Sequence, residues 1–273
     1  MTEKEHFLES LETWERQFVL EGFTCIPQVF SAAGVKECQM QLSLECARQL
    51  GVDLNDHTTW PRKLGQKNTL RHFFFPDSYP WNQVRNEEFE RRIDRILGPG
   101  RWQPLYGIGW FVISYPNIDS KPWRWRDYGW HVDGSHFNPH RLHSPEQALT
   151  PIMLFSDIEE NQGGTAFIPG SHVEMIRYLH SKGPRGAHVD ELGKFANDRY
   201  ADVSREQVFE ATGKAGTVWL LHPLLVHSGS KNLTSIPRII ANPPFVMKES
   251  FDFLNDAALI QKAATFALFE HFY

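Results

Sequence analysis

The sequence predicts a mostly β protein with flanking helices, in which an antiparallel barrel or jelly roll is backed by helices. The second half of the chain contains many short apolar runs that are separated by Pro and Gly, a pattern typical of short strands and turns. The N-terminal part instead carries apolar side chains at helical spacing. We therefore expect helices to support a barrel that follows them in the chain.

The composition predicts one globular domain over residues 1–273. Of these 273 residues 41% are hydrophobic and 22% are charged, which allows a large core. We expect helical support over about 1–100, a barrel core over about 101–247 and a C-terminal helix over about 255–271.

Charge and cysteine content restrict the partners and the compartment. A net charge of −5 and a pI near 6.2 leave no broad basic field, so we expect a small-molecule substrate and neither nucleic acid nor a membrane. Cys25, Cys38 and Cys46 lack the paired spacing of a zinc site, which indicates reduced thiols and, with no signal peptide, a cytoplasmic protein. Both a monomer and a homodimer remain open.

The elements of the first half follow from local signals. The predicted order is a helix at 4–20, a strand at 23–27, a helix that Ser31 caps and that runs to Leu50, a strand-like run at 70–75, a helix at 85–97 and a strand at 105–115. Gly22 and Gly51 end the first two helices, and Pro116 ends the last strand.

The elements of the second half are mainly strands. The predicted order is strands at 149–157 and 165–168, a helix at about 173–181, strands at 216–221, around His227 and at 237–242, and the C-terminal helix. Alternation places Arg238, Ile240 and Asn242 on one face of the last strand, and Ile239 and Ala241 on the other. A guanidinium on the inner face of a barrel is costly unless an anion meets it.

A pair of metal ligands is predicted at His131 and Asp133. In an extended segment these two side chains emerge on one side, while Val132 packs on the other. The same tripeptide recurs at His188–Asp190, but there Asp190 is well placed to cap a helix and no apolar strand flanks the pair. The strand context therefore favours the first triplet.

A second histidine is expected from a late strand, and His227 is the candidate. His222 is the alternative, although it lies five positions earlier and would point to the opposite face of a regular strand. Two histidines and one carboxylate occupy one face of an octahedral ion and leave three positions open, as in non-haem iron(II) oxygenases. A 2-oxo acid fills two of these positions and O₂ the third, while an arginine binds the far carboxylate.

A loop of alternating Trp and Arg residues precedes the metal-ligand pair. We expect it to cover the substrate, with Trp125 in contact and with Arg124 and Arg126 available for a carboxylate or phosphate. The alternative is an exposed charged loop without a binding role.

Four motifs in a fixed order carry a resemblance to a known family: Trp130–Asp133, Gln162–His172, His227–Asn232 and Pro237–Arg238. Together they resemble the phytanoyl-CoA dioxygenase family of iron(II)- and 2-oxoglutarate-dependent oxygenases. The resemblance extends from about Val19 to about Phe245. The chain departs from the usual pattern at Gln162–Gly164, where the family commonly has Asn-Gly, and at Ile152, where many members have Trp.

The resemblance implies a double-stranded β-helix of cupin-like type and assigns roles to residues. His131, Asp133 and His227 would bind iron(II), and Arg238 would bind the distal carboxylate of 2-oxoglutarate. Thr165 and Trp219 would be further cosubstrate contacts or barrel filling. The pocket walls would come from three more positions, namely Phe137, Leu221 and Asn242. O₂ is the other cosubstrate, and ascorbate is expected to help in vitro.

The implied reaction is hydroxylation of an unactivated C–H bond of a small organic metabolite, with release of succinate and CO₂. Halogenating relatives have a small residue where this chain has Asp133, so the aspartate favours hydroxylation. Three alternatives remain open: a barrel of the same fold that only binds a ligand, a protein-modifying hydroxylase, and a zinc hydrolase with the same three ligands.

Overall fold

A computed structural model describes residues 3–61, 67–116, 122–126, 129–134, 138–142, 144, 146, 148–250 and 258–269. The helices are α1 (Glu3–Glu9), α2 (Thr13–Glu21), α3 (Ala32–Leu50), α4 (Glu87–Leu97), α5 (His172–Lys182), α6 (Val189–Arg199) and α7 (Leu259–Phe269). The strands are β1 (Phe23–Ile26), β2 (Thr69–Leu70), β3 (Phe111–Ser114), β4 (Thr150–Leu154), β5 (Ala166–Phe167), β6 (Phe209–Glu210), β7 (Val218–Leu221), β8 (His227–Ser228) and β9 (Arg238–Ala241).

Two antiparallel sheets form the jelly roll. The larger sheet has six strands in the order β1-β7-β4-β9-β3-β2, and the smaller has three in the order β6-β5-β8. An apolar cluster with members on both sheets lies between them, including Phe167 of the smaller sheet and Leu154 and Ile240 of the larger. Among the described residues the two sheets do not close into one continuous ring of strands.

The register of β7 shows how alternation divides the larger sheet into two faces. Trp219 lies opposite Cys25 on one neighbouring strand and Ile152 on the other. Trp219 and Leu221 point between the sheets, whereas Val218 and Leu220 join the core on the outer face. The same alternation on β9 confirms that Arg238 and Ile240 share the inner face.

Helices cover the outer face of the larger sheet. Apolar side chains of α2, α3, α4 and α7 join that face in the largest core cluster. The ends of α3 are those the sequence predicts, because the Ser31 side chain accepts a hydrogen bond from the Gly34 backbone and Gly51 adopts a left-handed conformation.

A second outer cluster lies behind the smaller sheet. It joins Trp130 and Val132 to apolar side chains of α5, α6 and α7. The segment with the predicted metal ligands is therefore covered on its far side by these three helices. None of the helices in the described ranges is long and apolar enough to cross a membrane.

Three predicted elements differ from the structure. Of the strand-like run expected at 70–75, only Leu70 lies in a strand, because β2 covers Thr69–Leu70 alone. The helix expected at 4–20 is divided into α1 and α2, where the Glu12 and Glu15 side chains form a reciprocal cap at the start of α2. The strand expected at 105–115 is only β3, because its N-terminal part passes close to another segment. A Cβ on Gly109 would lie 2.0 Å from the His72 carbonyl oxygen.

Candidate active site

Backbone pairing brings His131 and His227 together. The amide of His131 donates to the carbonyl of His227 at 3.0 Å, and the reciprocal bond measures 2.9 Å. This antiparallel bridge sets the two imidazole centroids 4.6 Å apart. The predicted strand around His131 is thus a single bridge beside β8, which is sufficient to align the two rings.

Asp133 completes a cluster of three possible metal ligands. Its Oδ1 lies 3.5 Å from His227 Nε2 and 3.9 Å from His131 Nε2, and one ligand atom from each residue lies within 4.8 Å of the others. Its Oδ2 accepts a hydrogen bond from Asn242 Nδ2 at 3.4 Å. Asn242, a predicted pocket wall, therefore orients the carboxylate.

Hydrogen bonding and burial set the charge states of the two imidazoles. His227 Nδ1 lies 2.9 Å from the Leu225 carbonyl, and donation to it leaves Nε2 to face Asp133. Burial lowers the pKa of His227, but the charge and hydrogen bond of Asp133 outweigh it and raise that pKa. Burial, followed by repulsion from His227, lowers the pKa of His131 to about 4, so its ring is neutral at neutral pH.

Asp133 is ionised in the same environment. Burial opposes its charge, but His227 first, and then His131 and Asn242, hold the pKa of the carboxyl well below its usual range. Two imidazoles and one carboxylate form a donor set that suits a divalent transition metal such as iron(II). The cluster thus fits the ion that the sequence motif implies.

Helix α6 supports the metal-ligand segment from behind. Asn197 accepts a hydrogen bond from the Trp130 amide at 2.9 Å and donates to the Trp130 carbonyl at 2.8 Å. A Cβ on Gly129 would lie 2.1 Å from Asn197 Oδ1, and Gly129 has a φ of +78°. Glycine is needed there for both reasons. No signal in the sequence marks Asn197, because it is a polar residue within a polar stretch.

Arg238 lies on the inner face of β9, at the other end from Asn242. Its Nε donates to the Gly163 carbonyl at 2.5 Å and its Nη1 to the Val112 carbonyl at 3.3 Å, and the residue is 2% exposed. Asn242 follows four positions after Arg238, and at the rise of an extended strand their Cα atoms are about 13 Å apart. An arginine side chain and a five-carbon dicarboxylate together can span that interval.

The turn at residues 161–164, whose Gly163 carbonyl accepts the hydrogen bond from Arg238, is itself fixed by a buried carboxylate. Glu210 accepts hydrogen bonds from the amides of Asn161 and Gly164, both at 2.8 Å. Burial raises the pKa of Glu210, and these two amides oppose that effect. Gly163 lies between the two amides, so the carboxylate fixes the carbonyl that Arg238 contacts. Sequence reasoning missed Glu210, which lies in a stretch without a recognisable motif.

Three other predicted contacts lie in or near the space between the two sheets. Thr165 is buried immediately before β5. The indole Nε1 of Trp219 donates to the Thr212 carbonyl at 3.0 Å, and its ring packs among Phe23, Phe167 and Phe209. Leu221 is fully buried in the same interior cluster. For Trp219 these contacts favour barrel filling.

The Trp and Arg residues before the motif divide between two sides of the smaller sheet. Trp125 packs against Trp130 in the cluster under α5 and α6, with ring centroids 4.8 Å apart and the rings tilted by 32°. Arg124 lies exposed over the Trp125 ring. Arg126 points the other way, toward Ser114 of β3. Phe137, the remaining predicted pocket wall, lies outside the described residues.

The alternative histidines lie elsewhere. His222 is buried beside His172, with ring centroids 5.0 Å apart, and its Nδ1 accepts a hydrogen bond from the Leu224 amide. His188 is exposed and is itself the N-cap of α6, because its ring accepts from the Asp190 amide. The expectation that Asp190 caps this helix was therefore wrong by two residues.

Comparison with known proteins places most of the chain in one family. The sequence pattern of the family described as phytanoyl-CoA dioxygenase (PhyH) matches residues 18–240. A curated relative, the "Probable alpha-ketoglutarate-dependent hypophosphite dioxygenase" of Stutzerimonas stutzeri, is 24% identical over 233 residues, which are 82% of this chain and 74% of that protein.

Solved structures have the same fold. AviO1 from Streptomyces viridochromogenes Tue57 is similar with a TM-score of 0.53 at 16% identity, over 88% of this chain and 96% of that one. EctD from S. alaskensis, solved with 2-oxoglutarate and 5-hydroxyectoine, is similar with a TM-score of 0.50 at 18% identity, over 90% of this chain and 76% of that one.

Proposed function

The chain belongs to the phytanoyl-CoA dioxygenase family and is an iron(II)- and 2-oxoglutarate-dependent oxygenase, and from that premise we propose that it hydroxylates an unactivated C–H bond of a small organic metabolite. The reaction releases succinate and CO₂. In this proposal His131, Asp133 and His227 bind the iron, Arg238 binds the distal carboxylate of 2-oxoglutarate, and residues 1–273 act as one domain.

The close approach of His131, Asp133 and His227 carries this proposal. Residues 131 and 227 are far apart in the sequence, yet reciprocal backbone bonds place their rings side by side and facing Asp133. An arginine on the inner face of β9 accompanies this cluster, as 2-oxo acid binding requires. A zinc hydrolase would use the same three ligands but gives no role to Arg238.

Iron at this site would supply the oxidising chemistry between O₂, 2-oxoglutarate and the substrate. The residues of the chain supply the rest. His131 is neutral at neutral pH and can ligate directly. The Nδ1 of His227 is engaged with the Leu225 carbonyl, which leaves its Nε2 available to ligate. Asn242 keeps one carboxylate oxygen of Asp133 engaged, which turns the other toward the histidines. The apolar interior between the sheets keeps water from the cosubstrate.

Two observations support a small molecule as substrate. The net charge of −5 favours a small molecule over a nucleic acid as the substrate. The curated relative is named for hypophosphite, which is itself a small molecule. Hydroxylation is proposed because Asp133 occupies a position where halogenating relatives have a small residue.

Turnover of 2-oxoglutarate tests the oxygenase assignment. We expect the protein with iron(II), ascorbate and O₂ to form succinate slowly without substrate, and His131→Ala to abolish this. His188→Ala is the matched control, because His188 belongs to the same tripeptide in an exposed setting and should retain the activity. Equal activity of the two variants would show that His131 is not an iron ligand. Absence of turnover in the unmodified protein would favour a protein of the same fold that only binds a ligand.

Incubation of the enzyme with small-molecule extracts under isotopically labelled O₂ tests the hydroxylation. A product that gains one labelled oxygen atom only when 2-oxoglutarate is present supports it. A product that loses two hydrogens and gains no label would show desaturation instead.

A further inference from the structure

We propose that Arg126 is a second residue that binds the distal carboxylate of 2-oxoglutarate, from the side of the barrel opposite Arg238. The inference rests on the proposed function, because it takes Arg238 as the first such residue. It explains why one arginine of the Trp-Arg loop turns inward while its neighbours do not.

The backbone around Arg126 lies beside the segment that follows β8. The Arg126 amide donates to the Gly229 carbonyl at 2.8 Å, and Trp125 forms an isolated antiparallel bridge with Ser230. Trp125 lies on the outer side of this segment, against Trp130. Alternation therefore turns the neighbouring guanidinium of Arg126 into the space between the sheets.

The Arg126 guanidinium crosses that space and reaches the larger sheet. Its Nη2 donates to Ser114 Oγ at 2.8 Å, while its Nε donates to the Ser230 carbonyl at 3.1 Å. Ser114 is the last residue of β3 and is 2% exposed. These two contacts, one on β3 and one on the segment after β8, hold the guanidinium in one orientation.

Ser114 is also the immediate neighbour of Arg238. The two residues are cross-strand partners in the register of β3 and β9. Gly163, whose carbonyl accepts from Arg238, faces the same serine, since a Cβ on it would lie 2.8 Å from Ser114 Oγ. Arg126 and Arg238 therefore both lie beside Ser114, Arg126 through a hydrogen bond to its hydroxyl and Arg238 as its cross-strand neighbour.

A carboxylate is the ligand that this arrangement suits. Its two oxygens accept about four hydrogen bonds, and one arginine uses two of them in a bidentate pair. A second guanidinium can occupy the remaining positions and offset the cost of confining two like charges at one end of a barrel. A 2-oxo acid without a distal carboxylate would leave the guanidinium groups of Arg126 and Arg238 without a negative charge to offset their repulsion.

The test compares 2-oxoglutarate with 2-oxopentanoate, which has the same carbon chain but no distal carboxylate. Each is titrated anaerobically into the iron(II)-loaded protein, and binding is followed by the visible absorption of the chelate. We expect Arg126→Gln to weaken binding of 2-oxoglutarate about tenfold to one-hundredfold and to leave binding of 2-oxopentanoate unchanged. Arg126→Lys should restore part of the difference.

Two variants provide the controls. Arg199→Gln removes one positive charge from the exposed end of α6 and should alter neither titration. Arg238→Gln should discriminate between the two acids as Arg126→Gln does. Thermal unfolding of each variant establishes that the fold is retained.

The outcomes separate the two hypotheses. If Arg238→Gln weakens only 2-oxoglutarate while Arg126→Gln weakens both acids equally or neither, Arg126 is structural and the inference is overturned while the proposed function stands. If the unmodified protein binds neither acid, the proposed function fails and the inference fails with it.

Discussion

Replacement of Asn197 by alanine should weaken both the fold and the iron site, although Asn197 contacts none of the three proposed ligands directly. The side chain bonds to both the amide and the carbonyl of Trp130, the residue that precedes His131. Trp130 is 2% exposed, so its backbone groups have little access to water once Asn197 is removed. The perturbation therefore acts on the segment that places His131.

The magnitude follows from these two hydrogen bonds. Each buried backbone group that loses its hydrogen-bond partner lowers the free energy of unfolding by about 1–3 kcal/mol. The higher helix propensity of alanine in α6 offsets about 0.5 kcal/mol of this loss. Because the pair is only partly buried, we expect a loss of about 2–4 kcal/mol in the free energy of unfolding. Loss of a supporting partner typically lowers metal affinity about tenfold or more.

Urea unfolding measures the stability, and competition with a chromophoric chelator under anaerobic conditions measures the iron(II) affinity. Asp198→Ala is the control on the same helix, since Asp198 forms an exposed ion pair with Lys194 and should change stability by less than about 0.5 kcal/mol. If Asn197→Ala has the same urea midpoint and the same iron(II) affinity as the unmodified protein, α6 does not support the segment that places His131.

Three further predictions follow from burial and backbone geometry. His172 should contribute about 2 kcal/mol to a loss of stability between about pH 8 and about pH 5, because burial lowers its pKa to about 4 and the unfolded chain takes up a proton near pH 6.5 that the folded chain resists. Urea unfolding of the unmodified protein and of His172→Gln at the two pH values measures this contribution, and the variant should show the smaller difference. Burial raises the pKa of Cys25 to about 11, of Cys38 to about 12 and of Cys46 to about 11. The folded protein should therefore react with a thiol reagent at neutral pH far more slowly than the urea-unfolded protein. Comparable reaction rates in the two states would contradict the burial of the thiols. Gly193→Ala should stabilise the protein by about 0.5–1 kcal/mol, because a Cβ on Gly193 meets open space within α6, and a lower thermal midpoint would show that the helix surface is not free there.

Elements with their own end signals could be predicted from the sequence. Helix α3 begins after Ser31 and ends before Gly51, as predicted, because the cap and the left-handed glycine act on neighbouring residues alone. The division of the first helix depends on more distant contacts. The Arg16 guanidinium reaches back to the Leu8 carbonyl across the break, and apolar spacing gives no sign of such a contact.

The candidate site was predictable where chemistry and alternation agreed. Alternation on β9 gave the common face of Arg238 and Asn242, which the structure confirms. Alternation does not show which side of the Trp-Arg segment faces the interior. The sequence therefore places both Trp125 and Arg126 at the substrate, although the two side chains point in opposite directions. The support from Asn197 depends on a helix that is 67 residues away in the chain, and no local pattern marks it.

The anaerobic absorption spectrum tests the central claim most directly. The claim is that His131, Asp133 and His227 hold an iron(II) ion that 2-oxoglutarate chelates. Addition of iron(II) and 2-oxoglutarate to the unmodified protein should produce the weak visible charge-transfer band of that chelate, and His227→Ala should abolish it. A band of full intensity in His227→Ala, or no band in the unmodified protein, would contradict the claim.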